Sequence, residues 1–188
     1  MLQNFESLIQ WVIENSEGGW VLHKVKNDKG GLTYAGIAQR YHKNWEWWPV
    51  IQNPTLLAKR ETQVKDAIIK KYYNEYLLPS SAHLLPRGLG VSVLDYSVNA
   101  GPFRAIKQLQ SALNVTVDGK LGPITLSKIN SCYNTRSDTI LLHNRYTAAK
   151  QSRRDYVISR DPSQECFRKG WLKRDLRVHS KALLTDLG

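Results

Sequence analysis

Glu17-Gly18-Gly19-Trp20 and, farther along, Asn27-Asp28-Lys29-Gly30-Gly31-Leu32-Thr33-Tyr34-Ala35-Gly36-Ile37 decide how this chain is read. Just upstream, Phe5, Leu8, Ile9, Val12 and Ile13 fall at helical spacing, so residues 2–16 are expected to form an amphipathic helix. Gly18 and Gly19 let the backbone leave that helix at positive φ, a conformation that side chains resist. Gly30 and Gly31 permit a tight turn, after which Leu32 and Thr33 read as a short returning strand. One carboxyl, Glu17, is thereby expected at a helix end, with Asp28 and Thr33 on a hairpin facing it. A carboxylic acid, a carboxylate and a hydroxyl around one cleft are what hydrolysis of a glycosidic bond requires. Glu17, Asp28 and Thr33 are therefore the candidate catalytic residues.

Beyond this stretch the chain reads as helices broken by proline and glycine. A second helix is expected over 34–41, interrupted by Trp45, Trp47 and Trp48 before Pro49. Residues 61–78 form a long helix ended by Pro79, and 80–88 form a loop. Residues 90–100 are apolar almost all round, the pattern of a central buried helix. Gly101-Pro102 ends it and opens the next, whose apolar face is Phe103, Ile106, Leu109 and Leu113. Asp118-Gly119 and Gly122-Pro123 bracket a tight loop before a helix at 124–129. Two longer helices are expected at 139–159 and 164–184, split by Asp161-Pro162. The fold class is mainly α with a small β-hairpin, divided into a catalytic region at 1–88 and a helical region at 89–188.

The 188 residues carry a formal charge of +11, with 41% hydrophobic content that includes 9 Tyr and 6 Trp. That is enough for a real core and argues against wholesale disorder. So basic a surface suits a polyanionic partner. Nucleic acid, anionic lipid and the bacterial cell wall all qualify. Lys24, Lys70, Arg104, Arg153 and Arg174 are scattered, without one basic recognition helix, so nucleic acid is not expected as a partner. No stretch approaches the roughly twenty apolar residues of a membrane span, and the first twelve residues lack the pattern of a signal peptide. Synthesis in the cytoplasm is expected, with release by a holin or a comparable route if the substrate lies outside. Cys132 and Cys166 read as ordinary thiols, although one bridge between them is open. No metal-ligand spacing stands out, and no cofactor is expected.

Each candidate has a plainer alternative. Asn27-Asp28-Lys29-Gly30-Gly31 is also good turn chemistry, and Thr33 suits any strand. Trp20, Ile13 and Ile37 are local candidates for the apolar wall that raises the pKa of a general acid. Trp20, Tyr34, Trp45, Trp47 and Trp48 suit stacking on sugar rings, but aromatics at irregular spacing also build cores. Asp95 and Asn99 share one face of the buried helix. They either tie glycine loops together or, through Asn99, reach a sugar substituent. The substrate-binding candidates are Trp20, Tyr34, Trp47, Asp95 and Asn99.

The Glu17-Gly18-Gly19 element followed by Asp28-Lys29-Gly30-Gly31-Leu32-Thr33-Tyr34-Ala35-Gly36-Ile37 resembles the N-terminal signature of glycoside hydrolase family 108, bacterial and phage N-acetylmuramidases that include secretion muramidases. Asp95-Tyr96-Ser97-Val98-Asn99-Ala100-Gly101-Pro102 and Phe167-Arg168-Lys169-Gly170-Trp171-Leu172-Lys173-Arg174 look like that family's C-terminal peptidoglycan-binding region. Asp118-Gly119, Gly122 and Thr125 resemble the Asp-Gly-x-x-Gly-x-x-Thr element of helical peptidoglycan-binding modules. One departure is Leu22-His23-Lys24-Val25-Lys26, where family members more often carry a polar, proline-containing stretch. The resemblance implies a lysozyme-like helical fold with Glu17 as the catalytic acid. It implies an endo-acting muramidase working as a monomer on peptidoglycan glycan strands, for wall remodelling in protein or toxin export or for cell lysis. The order Glu, Asp, Thr is also similar to phage-type lysozymes, where these residues surround the attacking water. The competing expectation is a non-catalytic wall-binding or secretion-accessory protein.

Overall fold

Leu8, Ile9, Val12 and Ile13 make one apolar stripe, and all four are buried on helix α1 (Gln3–Ser16). The computed structural model that shows this describes residues 3–24 and 31–188. The chain divides into two compact units, 1–75 and 76–188.

In the first unit, α1 packs against α4 (Glu61–Tyr72), which buries Val64, Ile68, Ile69 and Tyr72. Between them lie a three-stranded antiparallel sheet and two short helices, α2 (Trp48–Ile51) and α3 (Pro54–Lys59). The Asn53 side chain caps α3, accepting from the amides of Thr55 and Leu56 at 3.1 Å each, with Pro54 in the first turn. Strands β1 (Leu22–Lys24), β2 (Leu32–Tyr34) and β3 (Ile37–Ala38) pair in that order, with His23 opposite Thr33 and Tyr34 opposite Ile37.

The helix expected over 34–41 is not formed. Ala35 (φ 47°) and Gly36 (φ 77°) are both left-handed and make a two-residue turn between β2 and β3. Two consecutive positive φ values match the twist of a hairpin and exclude a right-handed helix. The helix expected over 61–78 also changes character, because α4 gives way to a π-helical turn at Tyr73–Leu77. Pro79 has no amide to offer Glu75, and its ring crowds that carbonyl.

The second unit is built around α5 (Arg87–Ala100), in which every residue from Gly88 to Ser97 is buried. α6 (Pro102–Leu113) and α9 (Arg168–Leu187) pack on it, and α8 (Arg136–Arg160) packs on both of those. A short α7 (Pro123–Ser131) leans on α6. A Cβ on Gly88 would stand 2.1 Å from the Ala182 carbonyl, so only glycine lets α5 and α9 approach this closely. No side chain next to α5 caps its start. Asp186, from the far end of the chain, does so instead: its carboxylate accepts from the amides of Gly88 at 2.6 Å and Leu89 at 3.1 Å. An anion there also suits the positive end of the helix.

Charges are buried between α5, α8 and α9. Asp175, fully buried, pairs with Lys150 at 3.3 Å and Arg154 at 2.8 Å. Arg174 donates from Nε to both oxygens of Asp95, at 3.0 and 3.1 Å. Burial lowers the pKa of Lys150, and the nearby Asp175 works against that. Cys132 and Cys166 are free thiols. Among the described residues, no helix is long and apolar enough to cross a membrane.

Removing Asp175 would leave two buried cations without their counter-charge, so Asp175→Ala is expected to destabilise the fold by about 3–5 kcal/mol, read from urea unfolding. His179 gives a separate pH signature. Burial, then His143 and Lys150, lower its pKa below the ordinary 6.5. Below that value the unfolded chain binds a proton that the folded chain refuses, so stability falls as pH drops from about 6.5. His179→Gln should flatten that part of the urea-midpoint profile between about pH 7 and 5.

Candidate active site

Glu17 sits at the abrupt end of α1. The Ile13 carbonyl accepts from the amides of both Glu17, at 3.3 Å, and Gly19, at 2.9 Å, which folds the chain back on the last helical turn. Gly18 (φ 82°) and Gly19 (φ 77°) supply the left-handed backbone expected of them. The Glu17 side chain is half-buried, and its stem packs against the β2–β3 turn. A Cβ on Gly36 would lie 2.8 Å from Glu17 Cγ and 2.2 Å from the Tyr72 hydroxyl. That hydroxyl donates to the Ala35 carbonyl at 2.8 Å. Tyr72 is completely buried, so a core residue of α4 fixes the turn against which Glu17 rests.

Thr33 occupies the middle of the central strand, 9% exposed, with its hydroxyl donating weakly to the Gly31 carbonyl at 3.4 Å. Opposite it, His23 turns its imidazole toward Gly18: a Cβ there would be 3.5 Å from His23 Cε1. His23 Nδ1 lies 3.1 Å from the Val21 carbonyl. The helix stop, Thr33 and His23 thus belong to one small neighbourhood. Asp28 lies outside the described residues.

The aromatic candidates divide by burial. Tyr34 is 2% exposed and belongs to the core, and burial raises its pKa. Trp20 is half-buried, its Nε1 donating to Glu14 at 3.4 Å, with the Lys65 ammonium 5.4 Å from its ring centroid. Trp47 lines a separate cleft of about 610 Å³ in the first unit, together with Trp45, Asp66, Lys70, Asn74 and Glu75. Trp45 stands edge-on to Trp48 at 5.7 Å, with Lys71 over its ring at 5.5 Å. Flat rings beside carboxylates and amides suit a sugar, which offers C–H faces and hydroxyls together.

Residues 9–101 match the family described as glycosyl hydrolase 108. The chain belongs to that family. Residues 104–176 match a predicted peptidoglycan domain. Among solved structures, that of Brucella abortus SagA is similar, with 26% identity, coverage of 99% of this chain and 97% of that one, and a TM-score of 0.71. Among curated proteins, none matches. A glycosyl hydrolase 108 region joined to a peptidoglycan domain makes the chain a glycoside hydrolase of peptidoglycan, acting on the cell wall.

Within this glycosyl hydrolase 108 member, Asp95 and Asn99 lie in the second unit. Asp95 is fully buried with both oxygens taken by Arg174, and Asn99 accepts from Arg154 at 3.3 Å. Asp95 thus joins α5 to α9 through Arg174. The Asp-Gly-x-x-Gly-x-x-Thr element is knotted onto α6 by Gln110, which is 1% exposed. Its amide nitrogen donates to Asp118 at 2.7 Å and to the Lys120 carbonyl at 2.9 Å. Its amide oxygen accepts from Gly119 at 2.7 Å.

Sequence reasoning passed over His23 and Tyr72. His23 carried a weak signal, since the Leu22-His23-Lys24-Val25-Lys26 stretch is where this chain departs from the pattern it resembles. Tyr72 carried none, being one more apolar position on a helix. Gly36→Ala is expected to cost about 2–3 kcal/mol, because a side chain there overlaps Tyr72 and Glu17 at positive φ. Tyr72→Phe should cost about 1–2 kcal/mol by orphaning the Ala35 carbonyl. Thermal melts give both values, and sacculus hydrolysis should fall more steeply than stability in Gly36→Ala.

Proposed function

We propose that the chain is an endo-acting N-acetylmuramidase that cleaves the β-1,4 bond between N-acetylmuramic acid and N-acetylglucosamine, used in wall remodelling for protein or toxin export or in cell lysis. Protonated Glu17 gives its proton to the bridging oxygen as the glycosidic C–O bond breaks. A water held by the Thr33 hydroxyl and the Asp28 carboxylate attacks the anomeric carbon from the opposite face. Asp28 takes the proton that this water loses. Glu17 ends as a carboxylate and Asp28 as an acid, and exchange with solvent resets both. This is the inverting arrangement, for which the two carboxyl groups stand about 6.5–9.5 Å apart.

The observation that carries the proposal is the setting of Glu17. Its stem leaves the end of a glycine-stopped helix and packs against a left-handed turn, and the strand leading into that turn bears Thr33. A general acid must be aimed at one oxygen, and packing of the stem against a fixed turn restricts its rotamers. The cleft with Trp47 supplies aromatic faces of the kind a glycan strand uses.

Glu17→Gln should lower release of reducing ends from purified sacculi by at least about 100-fold while leaving the thermal midpoint nearly unchanged. Asp28→Asn and Thr33→Ala should each reduce it less. Mass spectrometry of the fragments decides the bond, since muramic acid at the new reducing ends is the expected result. N-acetylglucosamine at those ends would overturn the muramidase assignment, and undiminished release by Glu17→Gln would remove Glu17 from the chemistry.

A further inference from the structure

We propose that a cationic pocket between the end of α5 and the start of α6 binds the carboxylate end of a peptidoglycan stem peptide. The pocket encloses about 530 Å³, and Phe103, Arg104, Lys107, Gln108 and Arg153 form most of its wall, with no acidic residue among its lining. Elsewhere in the second unit the inward-facing cations are paired with carboxylates: Lys150 and Arg154 share Asp175, and Arg174 meets Asp95. At the surface, Arg168 pairs with Asp155 and Glu165.

Arg104, Lys107 and Arg153 differ. Among the described residues, none of the three has a carboxylate partner. Arg104 donates to the Ala100 carbonyl at 3.1 Å, Lys107 stands 4.6 Å from the Phe103 ring centroid, and Arg153 stands 4.7 Å from that of Tyr156. Three like charges around one cavity repel each other, and an anion entering it relieves that repulsion.

One wall of the pocket is apolar and held in place. Phe103 is 56% exposed, yet its ring edge rests on Gly119, where a Cβ would stand only 2.2 Å from Cε2. Gly119 is in turn fixed by Gln110. The Asp-Gly turn therefore supports the ring that faces the pocket. Cations beside an aromatic wall in a half-open pocket suit a short ligand with a carboxylate and a small apolar side chain, as at a peptide terminus. A polymeric phosphate backbone would instead be tracked by an open basic stripe and would leave the ring unused.

The proposal rests on the chain acting on the wall, but its readout is adhesion, so it fails separately from the chemistry of Glu17. The full chain bearing Glu17→Gln, which prevents hydrolysis during the assay, is pelleted with three kinds of sacculi. These are intact sacculi, sacculi stripped of stem peptides by an amidase, and sacculi freed of phosphate polymers by hydrofluoric acid. Binding is expected to be roughly tenfold stronger to the first and third than to the second, and adding Lys107→Gln with Arg153→Gln should erase that preference. Lys59→Gln with Lys128→Gln, an equal charge change elsewhere at two exposed positions, should keep it, and circular dichroism confirms that each variant is folded. Equal adhesion to intact and peptide-stripped sacculi overturns the proposal. So does a preference that survives the pocket substitutions, disappears with the control pair, or vanishes with the phosphate polymers.

Discussion

The Tyr72 hydroxyl bonded to the Ala35 carbonyl is the contact on which the arrangement around Glu17 depends. It is made in the core, where a lost hydrogen bond is not replaced by water. It holds Ala35 at a φ of 47°, a conformation an alanine does not choose for itself. The turn it secures is the surface against which the Glu17 stem packs. Three elements distant in sequence, α1, the β2–β3 hairpin and α4, therefore share one point of closure. The Glu17 side chain is placed by that closure, because the glycines that free the backbone after it cannot place it.

The second unit handles charge differently. Asp95 and Asp175 are buried opposite arginines and a lysine, an arrangement that restricts how α5, α8 and α9 can pack but adds little net stability. Asp186 performs the capping that the sequence around Pro86 does not provide. These three acids and the three cations buried with them cancel, so the net charge of +11 is carried by the remaining side chains, which accords with an anionic wall as substrate. Aromatic rings, in the Trp47 cleft and at Phe103, sit beside charged side chains in both units. A glycan bearing peptides offers sugar faces and carboxylates along one strand.

Much of the helical framework was legible because apolar spacing and breakers agree. The stripe on α1, the all-round apolar α5 and the Gly101-Pro102 junction all appear where the pattern puts them. The stretch after Tyr34 was misread as a helix, because its residues tolerate one. Only the left-handed pair at Ala35 and Gly36, with Tyr72 beneath it, makes the hairpin preferable. α8 and α9 end close to their expected positions, and a 3₁₀ segment at Pro162–Phe167 bridges them.

The sequence by itself determined the helix stop after Glu17, the strand carrying Thr33 and the mainly α class. Those follow from local rules: glycine's freedom at positive φ, and the periods of helix and strand. Tertiary structure alone decided that Tyr34 belongs to the core, that Asp95 faces Arg174, and that Gln110 ties the Asp118–Gly119 turn to α6. Burial and pairing at these positions join residues far apart in the chain, and the free energy of such contacts exists only once the packed neighbours have arrived.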